Sequence, residues 1–341
     1  MRTASANAPR QPLRIVAVGD VSLNGRYHTL LSERGPDYPF RRLRDRWRQF
    51  DLRCANLESP ISSLDRAAPT KFTLRAAPQT CDALRAGGFD CVVLANNHMM
   101  DFGSAGLMET IERLDAAGIP HVGAGADLEA AARPLILERN GRALGLLAFC
   151  DVVQVSKLYA TADSPGVAPA DLEFCREAVG KLRSQTDWVI VHLHWGLEMC
   201  RLPAPTQRRW AEILAGAGAD VIIGHHPHVV QPLEHVRNTV VAYSLGDFVF
   251  SSAYWHGVNG SGTPFLGRYE VHPRSRRTAW LEVELPDGGR PRATLQPALL
   301  KRDLTVVEQP SSARRRELAR LAAQLAGDDY ARRFQREAKR A

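Results

Sequence analysis

Short apolar runs, each closed by a polar cluster at its C-terminal end, constrain this chain more than any other feature. Leu13 to Val18 ends in Gly19-Asp20, the weaker run Leu52 to Leu57 ends at Glu58, and Phe89 to Leu94 ends in Ala95-Asn96-Asn97-His98. Leu144 to Phe149 ends in Cys150-Asp151, and Trp188 to Val191 runs into His192-Leu193-His194-Trp195-Gly196. Val221 to Ile223 ends in Gly224-His225-His226-Pro227-His228, and Val240 to Leu245 in Gly246-Asp247. Between these runs, Gln79 to Ala86, Ala105 to Ala117, Leu172 to Arg183 and Thr206 to Ala217 carry helical spacing, with Gly87-Gly88, Gly118 and Gly218 as stops. Buried strands alternating with amphipathic helices predict an α/β fold.

The remaining segments follow from local pattern. Ser251 to Gly267 is rich in Gly and Ser and reads as a long loop, with Tyr254-Trp255-His256 placed to cover a substrate. Thr278 to Leu285 and Ala293 to Leu300 read as strands joined by the turn Pro286-Asp287-Gly288-Gly289, and Ser311 to Ala341 as a basic helical tail. Three segments are expected: a disordered tail at 1–12, one domain over 13–305 and a basic helical extension over 306–341.

At 341 residues, 45% hydrophobic and 24% charged, the chain has a globular composition that excludes disorder, collagen and coiled coil. No apolar run approaches the roughly 18 residues of a membrane-spanning helix, so no membrane span is expected. The first dozen residues lack the apolar segment of a secretory signal. The six cysteines have no Cys-x-x-Cys spacing and read as reduced core residues, which points to the cytoplasm. The net charge of +7 is concentrated in Arg41 to Arg48 and Arg314 to Arg340 and reads as solvated helix faces. Helix-spaced Leu318, Leu321 and Leu325 predict that the tail packs back on the domain, and without a reading motif no nucleic-acid partner is expected.

The C-terminal edge of a sheet is where ligands bind in α/β proteins, and here that edge collects Asp, Glu, Asn and His. A strand closing on two amides and an imidazole has no packing reason to do so. Three imidazoles within Gly224-His225-His226-Pro227-His228 would repel if protonated, whereas neutral imidazole is the commonest metal ligand. Oxygen and nitrogen donors without a usable thiolate suit Mn²⁺, Fe²⁺, Zn²⁺ or Mg²⁺. Asp20, Glu58, Asn97, His194, His226 and His228 supply more donors than one ion takes, so two divalent ions sharing one carboxylate is the economical reading. His192, two residues before His194, lies on the same strand face and is either a partner of the metal ligands or a buried, hydrogen-bonded histidine. Trp195 and Glu198 are expected at the rim of the pocket.

The ordered series Gly19-Asp20, Asn56-Leu57-Glu58-Ser59-Pro60, Leu94 to Gly103, His194-Trp195-Gly196-Leu197-Glu198, Gly224 to His228 and Tyr243 to Phe248 resembles the CapA family of poly-γ-glutamate (capsule) synthesis proteins over residues 13 to 255. The resemblance implies the calcineurin-like metallophosphoesterase superfamily and a four-layer α/β sandwich, two central mixed sheets flanked by helices. It makes Asp20 a ligand of the first metal and Glu58 the bridging carboxylate. Asn97, His194 and one of the pair His225/His226 would serve the second metal, with His226 chosen for the His-x-His spacing to His228, which returns to the first. His98 matches the histidine that protonates the leaving group, and Asp101 is placed to orient it.

Departures from the pattern are specific. Ser22 stands where the superfamily's Asp-x-His motif has its histidine, which weakens the first metal site. Asp247 replaces the asparagine of the family's Gly-Asn-Phe, adding charge beside the metals or capping a turn. Family members in capsule assembly are commonly membrane-anchored, and no anchor is read here. Lys71-Phe72-Thr73-Leu74-Arg75 resembles the family's Lys-x-Phe, with Lys71 and Arg75 available for substrate anions, phosphate or γ-glutamyl carboxylate. The function expected is a metal-dependent hydrolase or phosphoesterase, manganese among the candidate ions, activating water against an anionic small molecule or polymer. The alternatives are a γ-glutamyl amide hydrolase or transferase and a non-catalytic polymer-handling factor.

Overall fold

In the computed structural model, which describes residues 11–65, 67, 72–153, 157–259 and 261–341, the apolar runs form the central strands of two mixed sheets. Most of the expected N-terminal tail, and Lys71, lie outside the described residues. The first half comprises β1 (Leu13–Val21), α1 (Tyr27–Arg34), α2 (Arg44–Trp47), β2 (Leu52–Leu57), α3 (Thr80–Gly87), β3 (Cys91–Val93), α4 (Gly103–Ala116), β4 (His121–Val122), β5 (Ala124–Gly125), α5 (Leu128–Ala132), β6 (Leu135–Arg139) and β7 (Arg142–Cys150). Then follow β8 (Gly166–Val167), α6 (Leu172–Arg183), β9 (Trp188–His194), α7 (Pro205–Ala217), β10 (Val221–His225), β11 (Leu233–Val236), β12 (Thr239–Ala242) and β13 (Asp247–Val249). The chain ends with β14 (Ala253–Val258), β15 (Pro264–Tyr269), β16 (Ala279–Leu285), β17 (Arg292–Leu300), β18 (Val306–Glu308), α8 (Ser312–Ala323) and α9 (Tyr330–Ala338).

The first sheet runs β18-β17-β16-β1-β2-β3-β4, with β13 joining the far end of β1. Strands β1 to β4 are parallel, whereas β16 to β18 are antiparallel additions. The second sheet runs β11-β12-β10-β9-β7-β6, parallel in its centre and antiparallel at both edges. Alternation along each strand sorts its residues into layers. On β9, Ile190 joins the core shared with the first sheet, while Val189, Val191 and Leu193 pack with Val179 and Leu182 of α6 and Ala211 and Leu214 of α7. Helices α3 and α4 bring Ala83, Leu84, Leu107 and Leu114 to the core of the first sheet. The result is helix, sheet, sheet, helix, the four-layer sandwich expected, with the C-terminal ends of β1, β2, β9 and β10 meeting between the sheets.

The stretch Ser251 to Gly267 corrects one expectation, because it contains a β-hairpin and not a long loop. Tyr254 pairs with Arg268 and Trp255 with Gly267, and Trp255 meets Phe265 edge-on at 5.0 Å. The turn is built by Asn259, whose Oδ1 accepts the Thr263 N–H at 2.8 Å. The glycine content that reads as loop is thus strand and turn, with Gly267 lying under the Trp255 ring, where a Cβ would sit 2.3 Å from Nε1. The segment beyond residue 305 begins with a strand, β18, before its helices, and Leu318 and Leu321 pack against Val230 and Ala279. Leu325 and Tyr330 extend the outer core of the second sheet.

Helix α4 also fastens the segment that follows β2. Glu109 accepts from Ser62 Oγ at 2.8 Å and from Ser63 N at 2.9 Å, and Arg113 reaches it at 2.8 Å. Burial alone would raise the Glu109 carboxyl, but hydrogen bonds from Arg113, Ser63 and Ser62 pull it down to about 2. A carboxyl depressed in the folded state contributes stability above its unfolded value, and that contribution is lost as pH falls from about 4.5 to about 2. The thermal midpoint of Glu109→Gln should therefore fall less steeply than wild type between pH 5 and pH 2; parallel slopes would remove Glu109 from the acid response.

Candidate metal centre

The backbone brings the donors together before any side chain does. A Cβ on Gly19 would lie 1.9 Å from the Gly246 carbonyl oxygen, so only glycine allows β13 to lie against the end of β1. The Asp20 N–H then donates to Gly246 O at 3.0 Å, and Asp20 stands in register with Asp247. Just past β10, His226 and His228 adopt φ of 95° and 56°, left-handed values that cost a non-glycine residue about 1–3 kcal/mol each. Asp20 Oδ2 accepts the His226 N–H at 3.3 Å, and Asp247 Oδ1 lies 2.7 Å from His228 Nδ1.

Glu58 sits at the middle. Its Oε1 is 3.8 Å from His194 Nε2 and 3.9 Å from His228 Nε2. Asn97 Oδ1 is 2.7 Å from the same His194 nitrogen. Asp20, Glu58 and His228 present donor atoms that all lie within 4.8 Å of one another, and so do Glu198, His226 and His228. His228 therefore belongs to two donor groups that adjoin.

Behind these side chains lies a layer of hydrogen bonds. Asn56 Nδ2 donates to Asp20 Oδ1 at 2.8 Å and stands 3.4 Å from His194 Nδ1, while Asn56 Oδ1 accepts from Asn96 at 3.1 Å. His225 Nδ1 is 3.4 Å from Asp20 Oδ1, and its Nε2 is 3.0 Å from His192 Nδ1. His192 in turn reaches Cys54 Sγ at 3.9 Å. The two sheets are thus joined by Cys54, His192, His225 and Asp20, and by Asn56 and His194.

Electrostatics follow burial. Burial and the neighbouring Asp20 push Glu58 well above the usual carboxyl range. Burial and His226 hold His194 well below the ordinary histidine value, and burial with His228 takes His226 down to about 3, leaving both rings neutral and competent to ligate. His228 goes the other way: burial disfavours its charge, but Asp247 and Glu58 outweigh burial and raise it well above the ordinary value. Burial lifts Asp247 to about 6 despite His228. Asp20 is lowered, because His225 and His228 overcome the effect of burial.

His98 and Asp101 form a second unit beside the donors. His98 Nδ1 is 2.8 Å from Asp101 Oδ2, which also accepts the Leu74 N–H at 2.6 Å. Phe72 meets the His98 ring edge-on at 5.9 Å and stacks on Tyr269 at 4.7 Å. Arg75 does not join the cluster; it lines a cavity of about 600 Å³ with His28, Tyr254, Trp255 and His256. Trp195 corrects another expectation: it is buried in the outer core with Nε1 donating to Tyr243 O at 3.1 Å, and only Glu198 of that pair is exposed.

Asn56, Asn96 and Phe72 fall inside the quoted motifs with no individual role read for them, and Tyr269 falls outside every motif. The strand period offers a signal for one of them, since Asn56 precedes Glu58 by two residues and shares its face.

The donors fit divalent ions. Both Glu58 oxygens, His226 Nδ1 and Asp247 Oδ2 are buried with no hydrogen-bond partner among the described residues. Such groups are costly to bury unless a partner or metal satisfies them. A set of carboxylate oxygens and imidazole nitrogens is suited to Mn²⁺, Fe²⁺ or Zn²⁺.

The family model "Bacterial capsule synthesis protein PGA_cap" matches residues 14–252. The chain belongs to this family. Its relatives include "Capsule biosynthesis protein CapA" of Bacillus anthracis, 31% identical with 80% of this chain and 67% of the relative covered. "PGA biosynthesis protein CapA" of Bacillus subtilis is 32% identical over 75% of this chain and 70% of the relative. "Probable polyglutamine synthesis accessory protein Rv0574c" of Mycobacterium tuberculosis is 34% identical over 58% of this chain and 55% of the relative. Similar solved structures include the NAD nucleotidase NadN of Haemophilus influenzae, at TM-score 0.46 and 14% identity, with 96% of this chain and 60% of that chain covered. The Thermus thermophilus sulfate thiohydrolase SoxB has a TM-score of 0.48 at 14% identity, with 98% of this chain and 61% of that chain covered. The chain thus spans about three fifths of each of these two structures. Among the described residues no helix of this PGA_cap protein is long and apolar enough to cross a membrane.

Removing Glu58 should take away the carboxylate that stands between His194 and His228. Glu58→Ala is expected to lose one ion completely and most of a second in elemental analysis of purified protein, while remaining folded. Wild-type metal content in that variant would overturn the central place given to Glu58.

Proposed function

We propose that this PGA_cap protein is a metal-dependent hydrolase with a dinuclear site, acting on an anionic substrate. The observation that carries this reading is the buried Glu58 carboxylate, without a hydrogen-bond partner among the described residues, standing between His194 and His228. Asp20, Glu58 and His228 would hold one ion, and Glu58, Asn97, His194 and His226 the other. Glu198 would add a donor from the solvent side, beside His226 and His228. His225 and His192 would hold Asp20 in place, and Asp247 would hold His228. Bound there, divalent ions lower the pKa of water and polarise a P–O or C=O group. His98 would deliver a proton to the leaving group from its Nε2 face, with Asp101 fixing the ring through Nδ1. Arg75 would receive remote anionic groups of the substrate in the cavity it lines, and Lys71, outside the described residues, is proposed for the same task.

The same geometry serves a γ-glutamyl amide as well as a phosphoester, and the relatives' names in capsule, PGA and polyglutamine synthesis favour the glutamyl substrate. Mn²⁺, Fe²⁺, Zn²⁺ or Mg²⁺ would suit the donors, manganese being one candidate, and the six free cysteines support a reducing, cytoplasmic setting.

A screen of phosphomonoesters, phosphodiesters and γ-glutamyl peptides identifies the reaction, and His98→Asn tests the mechanism. That variant should keep its metal and its fold while turnover falls by about 10² to 10⁴, the usual worth of a positioned acid. The fall should be smallest for substrates with good leaving groups. Loss of metal would make His98 a ligand, and absence of turnover in metal-loaded wild type across the screen would favour a polymer-handling factor.

A further inference from the structure

Away from the carboxylate cluster, Arg201, Arg274, Arg277 and Arg314 converge on a hollow of about 110 Å³ that also holds Glu317. Three of the arginines share that one carboxylate. Arg201 Nη2 is 2.6 Å from Glu317 Oε1, and Arg277 Nη2 and Arg314 Nη1 lie 2.7 and 2.8 Å from Oε2. Arg314 is buried, with its Nη2 donating to Arg277 O at 2.6 Å and its Nε without a hydrogen-bond partner among the described residues. The side chain of Arg274 has neither an ion pair nor a hydrogen bond among the described residues; its backbone N–H donates to His272 Nδ1 and its carbonyl accepts from the Arg277 N–H. Four guanidiniums against one carboxylate leave the hollow with uncompensated positive charge in a partly desolvated place.

We propose that this hollow is an oxyanion-binding site, taking one phosphate or carboxylate group on the guanidinium N–H groups of Arg274, Arg277 and Arg314. The volume lies below the roughly 300 Å³ at which small-molecule sites begin, so it admits a single charged group and not a whole nucleotide. Guanidinium is the side chain whose planar fork of donors matches such groups. The site is tied to the loops of the metal centre. Val229 and Val230, which line the hollow, directly follow His228, and Arg201 follows Glu198 and Met199. The Met199 N–H donates to Pro227 O at 2.9 Å, fastening those two loops to each other. A bound oxyanion would therefore rest on the same two segments that carry His228 and Glu198. The inference stands on the arginines alone and does not require the metal centre to be catalytic.

The test is calorimetric titration of the full chain at low ionic strength, in a buffer free of other oxyanions, with inorganic phosphate and separately with a γ-linked glutamate dimer. Wild type should bind at least one of them, and which one distinguishes a phosphate source from a carboxylate source. Arg274→Gln combined with Arg277→Gln should weaken that binding by tenfold or more with the fold intact by circular dichroism. Glu317→Gln removes the competing carboxylate and should strengthen it by about tenfold, the effect of one partly screened unit charge. No binding of either probe, or binding that none of these variants changes, would overturn the site and leave the arginines as a network that anchors α8. Phosphate held only by the metal centre falls in the second case, because the arginine variants would not disturb it.

Discussion

Burying the Glu58 carboxylate between two sheets sets the terms for much that surrounds it. Asp20 and Asp247 are buried beside it, and carboxylates this close, taken out of water, repel one another and lose their hydration. Asp247 and Glu58 favour the protonated form of His228 against the effect of its burial. Burial and Asp20 disfavour charge on Glu58, whose oxygens have no hydrogen-bond partner among the described residues. Two divalent ions would neutralise the cluster, and the elevated affinity of Glu58 for a proton is what competition with metal looks like before metal arrives.

The fold supplies this arrangement by placing two sets of parallel strands so that their C-terminal ends converge. Donors from β1 and β2 meet donors from β9 and the turn after β10, and no local segment contains the site. The left-handed turns at His226 and His228 are held by Asp20 and Asp247, so the backbone strain is balanced by the same carboxylates that the imidazoles help to hold. Loss of one acidic side chain would disturb both donor geometry and loop conformation.

Much of the architecture was legible because strand and helix periodicities are local. The runs at Leu13, Leu52, Leu144, Trp188 and Val221 all became central strands, and the ordered motifs pointed to the family that residues 14–252 match. The hairpin at Ala253–Val258 and Pro264–Tyr269 was read as loop because its glycines mark ring packing and a turn, features that depend on Trp255 and Asn259 across the ribbon. Trp195 is hidden from pattern for a similar reason. It comes just after β9, and its ring packs on the outer side of the sheet, with the helices. Contacts that cross between sheets, such as Asn56 with His194 or His225 with Asp20, have no counterpart in sequence spacing. The arginine hollow unites residues from four separate segments, so no single run of charge marks it.

In the proposed dinuclear site Glu58 would lie between two ions. Anomalous diffraction at the manganese edge, from crystals of the full chain grown with Mn²⁺, locates them directly. Two peaks flanking the Glu58 carboxylate, one on the side of Asp20 and His228 and one on the side of Asn97 and His194, is the result predicted. A single peak away from Glu58, or Mn²⁺ bound only at exposed carboxylates, would contradict it.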